Sequence, residues 1–202
     1  MKISRVVMLA ACVLSLGGSS KDGAREGPAP QKHQFVVELD PKADVKLGTT
    51  DGVRTVEDFS AADKRYAVYE ADSADALAKH LEHARLSPKK VTEVKDINSP
   101  TRGGGKPAGD QPRKGQKTFV IERKIPGVGT FPDAKKQAIS KKSNAAIAEI
   151  GDSIEWVHSY LTDEGTYCVY RATDEDTIRK HGAIAGAPIT KVSEAQPVIS
   201  SR

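Results

Sequence analysis

The chain has 202 residues, room for one or two small domains. Charged residues make up 29% and hydrophobic residues 38%, a globular but polar composition that leaves part of the chain as linker. The formal net charge of +4 is spread over interspersed Lys, Arg, Asp and Glu, which describes a solvated surface and speaks against a nucleic-acid-binding patch.

Lys2 and Arg5 precede an uncharged apolar run, Val6 to Leu16, and then the small residues Gly17, Gly18, Ser19 and Ser20. Positive, apolar, small is the order of a secretory signal, so residues 1–20 are predicted to be a signal peptide directing export to the periplasm or cell envelope. The run is too short to span a bilayer, which takes about 20 apolar residues. Within it, Leu9-Ala10-Ala11-Cys12 resembles a bacterial lipobox, which would make Cys12 a lipid-modified N-terminus and the protein a membrane-tethered lipoprotein. The other cysteine, Cys168, then has no partner, so the mature chain has no disulfide framework and its stability must come from packing.

Residues 21–32, rich in Gly, Pro and charge, read as a linker, and residues 33–97 as a first module. In that module Phe35-Val36-Val37-Glu38 is a strand, and Pro41 to Gly52 is a turn-rich connection. Tyr66-Ala67-Val68-Tyr69 is another strand, followed by a helix carrying Asp75, Lys79 and His80 and by a strand through Val91 and Glu93. Residues 98–117 contain Pro100, Gly103-Gly104-Gly105, Pro107, Gly109 and Pro112 without apolar periodicity, and read as a second, flexible linker.

Residues 118–199 read as a complete module. Thr118 to Glu122 is a strand, and Pro126-Gly127 with Gly129 a turn. Pro132 to Ile150 is a helix with Ile139, Ser143, Ala146, Ile147 and Ile150 on one stripe, Pro132 at its first position and Gly151 at its C-terminal cap. Ile154 to Leu161 and Thr166 to Arg171 are strands of a hairpin turning at Thr162-Asp163-Glu164-Gly165. Thr173 to Lys180 is a second helix, acidic at its start and basic at its end, and Ile189 to Glu194 is the last strand. The order is β-α-β-β-α-β, the ferredoxin-like arrangement.

The first module is a degenerate copy of the second. Tyr66 to Tyr69 matches Tyr167 to Tyr170 at a shift of 101 residues, and Asp75, Lys79-His80, Val91 and Glu93 keep that shift with Asp176, Lys180-His181, Val192 and Glu194. Upstream, Phe35 to Glu38 matches Phe119 to Glu122 at a shift of 84. The 17 missing residues are about the length of the first helix, so the first copy is predicted to have lost or shortened it. A copy without one helix leaves sheet uncovered, so the two modules are expected to pack as an intramolecular pseudo-dimer. The predicted fold class is α+β: two tandem ferredoxin-like (βαββαβ) modules, the first abbreviated.

The stretch Thr118 to Gly127 resembles a known family. The resemblance continues at Ile154-Glu155-Trp156-Val157-His158-Ser159-Tyr160, Tyr167 to Ala172, Lys180-His181 and Gly186 to Glu194. It is the pattern of a bacterial family of small ferredoxin-like domains of unknown function that includes a nickel-binding protein. It covers about 118–199 and reaches the first module only through the internal repeat. The resemblance implies a ferredoxin-like fold, dimerisation and, for at least one member, nickel binding. The chain departs from the family pattern in its duplication and predicted export.

Strict strand alternation puts Trp156, His158 and Tyr160 on one face of the sheet and Val157, Ser159 and Leu161 on the other. The aliphatic set suits packing under helices. The aromatic and polar set then points to the open face, where Glu122 is expected to join it. Imidazole and carboxylate between two sheets suit nickel (Ni2+), with zinc (Zn2+) as the alternative. The metal candidates are His158, His181, Glu122 and Tyr160. The first copy has Glu57 and Phe59 where the second has His158 and Tyr160, and Glu38 where it has Glu122, so at most one strong site per chain is expected. His181 recurs as His80 at a predicted helix C-terminus, which gives both a dipole-matching role as well. Cys168, with Ala67 as counterpart, reads as a small buried residue, and Glu155 as a solvated one.

No spacing matches a zinc-finger, metalloprotease or nucleophilic-triad signature, and Gly103-Gly104-Gly105 precedes no helix that would make it a phosphate loop. RNA-recognition domains share this topology, but Gly165-Thr166-Tyr167 lacks their basic residue and first aromatic. The sequence therefore reads as an exported, non-enzymatic binding protein taking a divalent transition metal at the inter-sheet face. Its alternatives are a metal-free interaction module of the cell envelope and, by fold analogy alone, an enzyme using the inter-sheet cavity.

Overall fold

A computed structural model describes residues 32–46 and 48–200, the side chains of 199 and 200 excepted. The predicted leader with Cys12, and residues 21–31 of the predicted first linker, lie outside the described residues.

The first module contains β1 (His33–Leu39), the two-residue β2 (Thr49–Thr50), β3 (Val53–Ala61), β4 (Arg65–Ala71), α1 (Ala74–His83) and β5 (Lys90–Val94). Strand periodicity splits β1 between two environments. Phe35, Val37 and Leu39 pack with Ala67, Tyr69 and Ala71 of β4 under Leu77 and Leu81 of α1, whereas Val36 faces the opposite side with Val68. Strands apolar on both faces are strands covered on both faces. The Ser73 side chain caps α1 by accepting from the Ala76 amide. Among the described residues 40–52 hold no helix; a turn after Asp40 instead lays Ala43 and Val45 on the core that the missing helix would cover.

A short strand, β6 (Asp96–Asn98), leads into the second module: β7 (Lys117–Lys124), α2 (Asp133–Ile150), β8 (Ile154–Leu161), β9 (Gly165–Ala172), α3 (Glu175–Ala185) and β10 (Lys191–Ser200). The last helix and strand outrun their predicted ends. Asp174 caps α3 by accepting from the Thr177 amide, and Gly186, at φ 63°, ends it in the left-handed conformation. Phe119, Ile121, Trp156, Cys168 and Tyr170 form a core with Ile178 of α3, and Ile147 and Ile150 of α2 pack against it.

The strands pair in the order β5-β1-β4-β3-β10-β7-β9-β8-β6. Each module thus keeps the ferredoxin-like order, and the seams are β3 with β10 and β6 with β8. Only Lys95 separates β5 from β6, so the two ends of the path meet and the sheet closes on itself. The Lys95 amide completes the junction by donating to the Leu161 carbonyl at 2.8 Å. The pseudo-dimer is therefore one closed antiparallel sheet, with helices outside and a third core within. Counting β5 and β6 as one, eight strands enclose that interior, a size that side chains can fill. Four successive antiparallel steps relate β1 to β7, so both run the same way and the pseudo-twofold axis lies along the barrel.

Two sequence expectations fail here for identifiable reasons. A β-bulge interrupts β8 between Trp156 and His158, and its counterpart interrupts β3 between Thr55 and Glu57. The extra residue reverses the parity of alternation. Trp156 therefore lies on the helix side, where its indole donates to Ser159 Oγ at 3.0 Å, and Val157 packs towards the barrel interior, the reverse of the predicted faces. The predicted flexible linker begins inside β6 and continues as a 3-10 turn, Pro100–Gly103, seated on α2. A Cβ on Gly103 would lie 2.7 Å from the Lys141 backbone nitrogen, and one on Gly105 would lie 2.6 Å from Asn144, so these glycines serve close approach. Asp96 anchors the same corner by accepting from Arg102 and Lys136. Burial opposes its charge, but those two bonds outweigh it and bring its carboxyl down to about 2.

Closure makes the modules one cooperative unit. Leu77→Ala, a fully buried change in the first module, should cost about 2–5 kcal/mol. It should lower the urea midpoint read by fluorescence of Trp156, the single tryptophan, in the second module. An unmoved tryptophan transition would mean that the modules unfold separately.

Candidate functional site

The barrel interior is built in layers set by strand register. Val36, Val68 and Glu57 stand side by side across β1, β4 and β3, and Val120, Val169 and His158 are their equivalents. The next layer holds Glu38, Tyr66 and Phe59 with the equivalents Glu122, Tyr167 and Tyr160. Because the pseudo-axis lies along the barrel, equivalent residues face each other across it.

The outer layer is a crossed acid–phenol network. The Tyr66 hydroxyl donates to Glu122 at 2.7 Å and the Tyr167 hydroxyl to Glu38 at 2.8 Å, each bond running from one module to the other. Burial, and then the adjacent carboxylates, push both phenols well above the ordinary tyrosine value, so they remain donors. Lys64 places its ammonium between the two carboxylates, 2.5 Å from Glu38 and 3.0 Å from Glu122. Burial works against that charge, but the carboxylate hydrogen bonds outweigh it and raise the Lys64 pKa. The equivalent position in the second module is Gly165, where a Cβ would stand 2.0 Å from the Arg123 carbonyl oxygen. Lys64 thus breaks the pseudo-symmetry and provides a resident cation in a carboxylate pair that would otherwise repel.

The inner polar group is smaller. One oxygen of Glu57 lies 2.9 Å from His158 Nε2 and accepts from the Tyr160 hydroxyl at 2.7 Å. The imidazole and phenol rings meet edge to face at 4.9 Å. Burial, followed by the Glu57 charge, holds the Tyr160 hydroxyl protonated far above its usual range. Glu57 and His158 border a cavity of about 560 Å³ at this end of the barrel, with Phe59 and Val157 on its walls and residues 107–112 along its rim. Arg171 fastens that rim by donating to the Gly109 carbonyl at 2.7 Å while pairing with Glu155 at 3.2 Å. Glu155, read from sequence as solvated, is buried in this clasp.

The four sequence-derived metal candidates do not converge. His158 and Tyr160 meet, through Glu57. Glu122 belongs to the outer network with Lys64 and Tyr66. His181 lies on the opposite face of the sheet, fully buried under the helices, where its Nε2 bonds Ser143 Oγ at 3.1 Å. Its repeat partner explains its recurrence: His80 packs on Tyr69 as His181 packs on Tyr170, at 5.6 and 5.0 Å between ring centroids. Cys168 is likewise buried, beside the Thr166 hydroxyl. Among the described residues no three His, Cys, Asp or Glu side chains gather as a metal-holding group. Sequence reasoning missed Lys64 and the two crossed tyrosines, and noted Glu57 only as a counterpart. The 101-residue repeat was the available signal, because equivalents of a twofold meet at its axis.

Burial, and then the charge of Arg123, push the His181 imidazole down from 6.5 to about 4. The native ring is neutral, so the unfolded state binds the extra proton between these values. Stability should fall as pH drops below 6.5, by about 3 kcal/mol once pH reaches 4. Urea unfolding at pH 7 and pH 4.5 checks this: the loss should be smaller in His181→Gln, and an equal loss in both proteins would remove His181 as its source.

Comparison with known proteins places part of the chain. No curated protein sequence matches it. Among solved structures it is similar to a tryptophan-to-valine variant of chlorite dismutase from Candidatus Nitrospira defluvii, at 10% identity and a TM-score of 0.45 over 85% of this chain and 91% of that chain. An arginine-to-alanine variant of the same enzyme gives 8% identity and a TM-score of 0.45 over 82% and 90%. A family model described as "Nickel responsive protein SCO4226-like" matches residues 119–195, from the core of β7 to the middle of β10. The second ferredoxin-like module is a domain of the SCO4226-like family.

Proposed function

We propose that the protein is an exported, non-enzymatic binding protein that takes a divalent transition metal, nickel first and zinc as alternative, at the Glu57–His158 pair. The observation that carries this reading is the 2.9 Å approach of a carboxylate and an imidazole beside a cavity, in a chain whose second module matches a nickel-responsive family. The donor chemistry fits. Imidazole nitrogen suits nickel and zinc, and carboxylate oxygen completes a mixed N,O pair. His158 would offer Nε2 and Glu57 a carboxylate oxygen, while Tyr160, kept protonated, would orient that carboxylate from behind. Two protein donors make an open site, whose other positions fall to water or a small ligand. Such a site suits reversible metal capture better than a structural metal. The basic start, apolar run and small residues of 1–20 support export, and the lipobox-like stretch supports a tether at Cys12.

A second reading is a metal-free interaction module of the cell envelope. It is favoured by the hydrogen bonds that Glu57, His158 and Tyr160 already make with one another, which a metal would have to displace.

Calorimetric titration of Ni2+ and Zn2+ into the full chain separates the two. Micromolar or tighter binding should weaken at least about tenfold in both His158→Ala and Glu57→Gln, and only a few-fold in Tyr160→Phe. Absence of heat, or undiminished binding in both variants, would leave the metal-free module as the function.

A further inference from the structure

On the other side of the second module's sheet, away from the barrel interior, one buried charge lacks a counter-ion. Arg123 of β7 is 6% exposed. Its Nη1 donates to the carbonyls of Ala187 at 3.1 Å and Pro188 at 2.9 Å, which fixes the guanidinium against the loop after α3. Its Nη2 is buried and makes no hydrogen bond, although the Tyr170 hydroxyl lies close enough to interact with the guanidinium, and Arg123 forms no ion pair among the described residues. The other enclosed cations are all paired: Lys64 with Glu38 and Glu122, Arg65 with Asp58, Lys136 with Asp96, and Arg171 with Glu155. A lone buried guanidinium is costly, and an anion that pairs with it removes the cost.

Arg123 borders a cavity of about 380 Å³ between the sheet and helices α2 and α3. A second orphaned polar atom, Nδ1 of the fully buried His181, belongs to the same lining. The charged residues around it are Arg123, Lys124, Lys136 and Lys142, with no carboxylate among them. The remaining wall is largely apolar, with Val128, Ile139, Trp156 and Leu161. The volume sits near the lower end of the range of ligand pockets, ~300–1,000 Å³. One anchored guanidinium with a free donor edge matches a carboxylate. The apolar walls match a hydrocarbon or aromatic body. A phosphate, which has no apolar body, would leave that wall unfilled.

We propose that the second module carries a binding site for a small apolar monocarboxylate, with the carboxylate on Arg123 and the apolar body against Trp156 and Ile139. The site is independent of the Glu57–His158 pair and stands whether or not that pair takes a metal.

The test uses the full chain, with octanoate and benzoate as probes and octanol and inorganic phosphate as comparisons. Trp156 fluorescence and thermal midpoint are the readouts. Both carboxylates should bind saturably and raise the midpoint, and octanol should bind at least tenfold more weakly than octanoate. Arg123→Met should weaken octanoate at least tenfold while its own ligand-free midpoint stays equal to or above that of the parent, since the variant loses an uncompensated charge. Ile139→Trp, which fills the cavity and keeps Arg123, should also lose octanoate. No saturable binding up to millimolar carboxylate would overturn the proposal. So would octanoate binding that survives Arg123→Met or Ile139→Trp, octanol binding equal to octanoate, or phosphate competing as well as octanoate does.

Discussion

The run from Lys90 to Asn98 belongs to both modules at once. Its first half pairs with β1 and its second half with β8, and the Lys95 amide reaches the Leu161 carbonyl at the changeover. β10 does the same at the opposite seam, with β7 along its first half and β3 along its second. A four-stranded sheet of either module alone would present two open edges and an uncovered face carrying carboxylates and phenols. Sharing two strands removes the edges and encloses the face. Every polar residue of the interior owes its setting to this closure.

Closure around a pseudo-twofold axis also explains the polar pattern inside. Where equivalent residues are both acidic, as Glu38 and Glu122 are, they approach each other and need a cation, and Lys64 supplies it from a position that is Gly165 in the other copy. Where equivalents have diverged, as Glu57 and His158 have, they bond directly. A homodimer could set neither a lone lysine between equivalent carboxylates nor a carboxylate opposite an imidazole at equivalent positions, because both partners would carry the same residue. Fusing two modules in one chain lets the two halves of a shared interior differ, and the Glu57–His158 pair inside the barrel follows from that freedom.

Much of this was legible in the sequence. The 101-residue repeat over Tyr66–Tyr69 and Tyr167–Tyr170 and the missing helix before β3 both appear in the structure. Two kinds of feature were not legible. Parity reasoning cannot see a bulge, because the inserted residue carries no composition signal: Val157 looks like any strand valine, yet the bulge there moves Trp156 to the helix side. Glycine has two uses that sequence does not separate. Gly103 and Gly105 read as flexibility but serve close contact with α2. His181 shows a third limit. Its recurrence as His80 was visible, but the reason, an aromatic neighbour at Tyr170 and Tyr69, needs the third dimension. The lone charge of Arg123 is visible only as the absence of a partner in space.

The two modules share one closed sheet, so its seams should be as stable as its middle. Native-state hydrogen exchange of the Lys95 amide, beside that of Cys168 in the central strand β9, tests it most directly. The closed barrel predicts that both amides exchange only through global unfolding, with the same free energy of opening. A Lys95 amide that exchanges orders of magnitude faster, through a separate local opening, would contradict closure and leave two modules merely lying side by side.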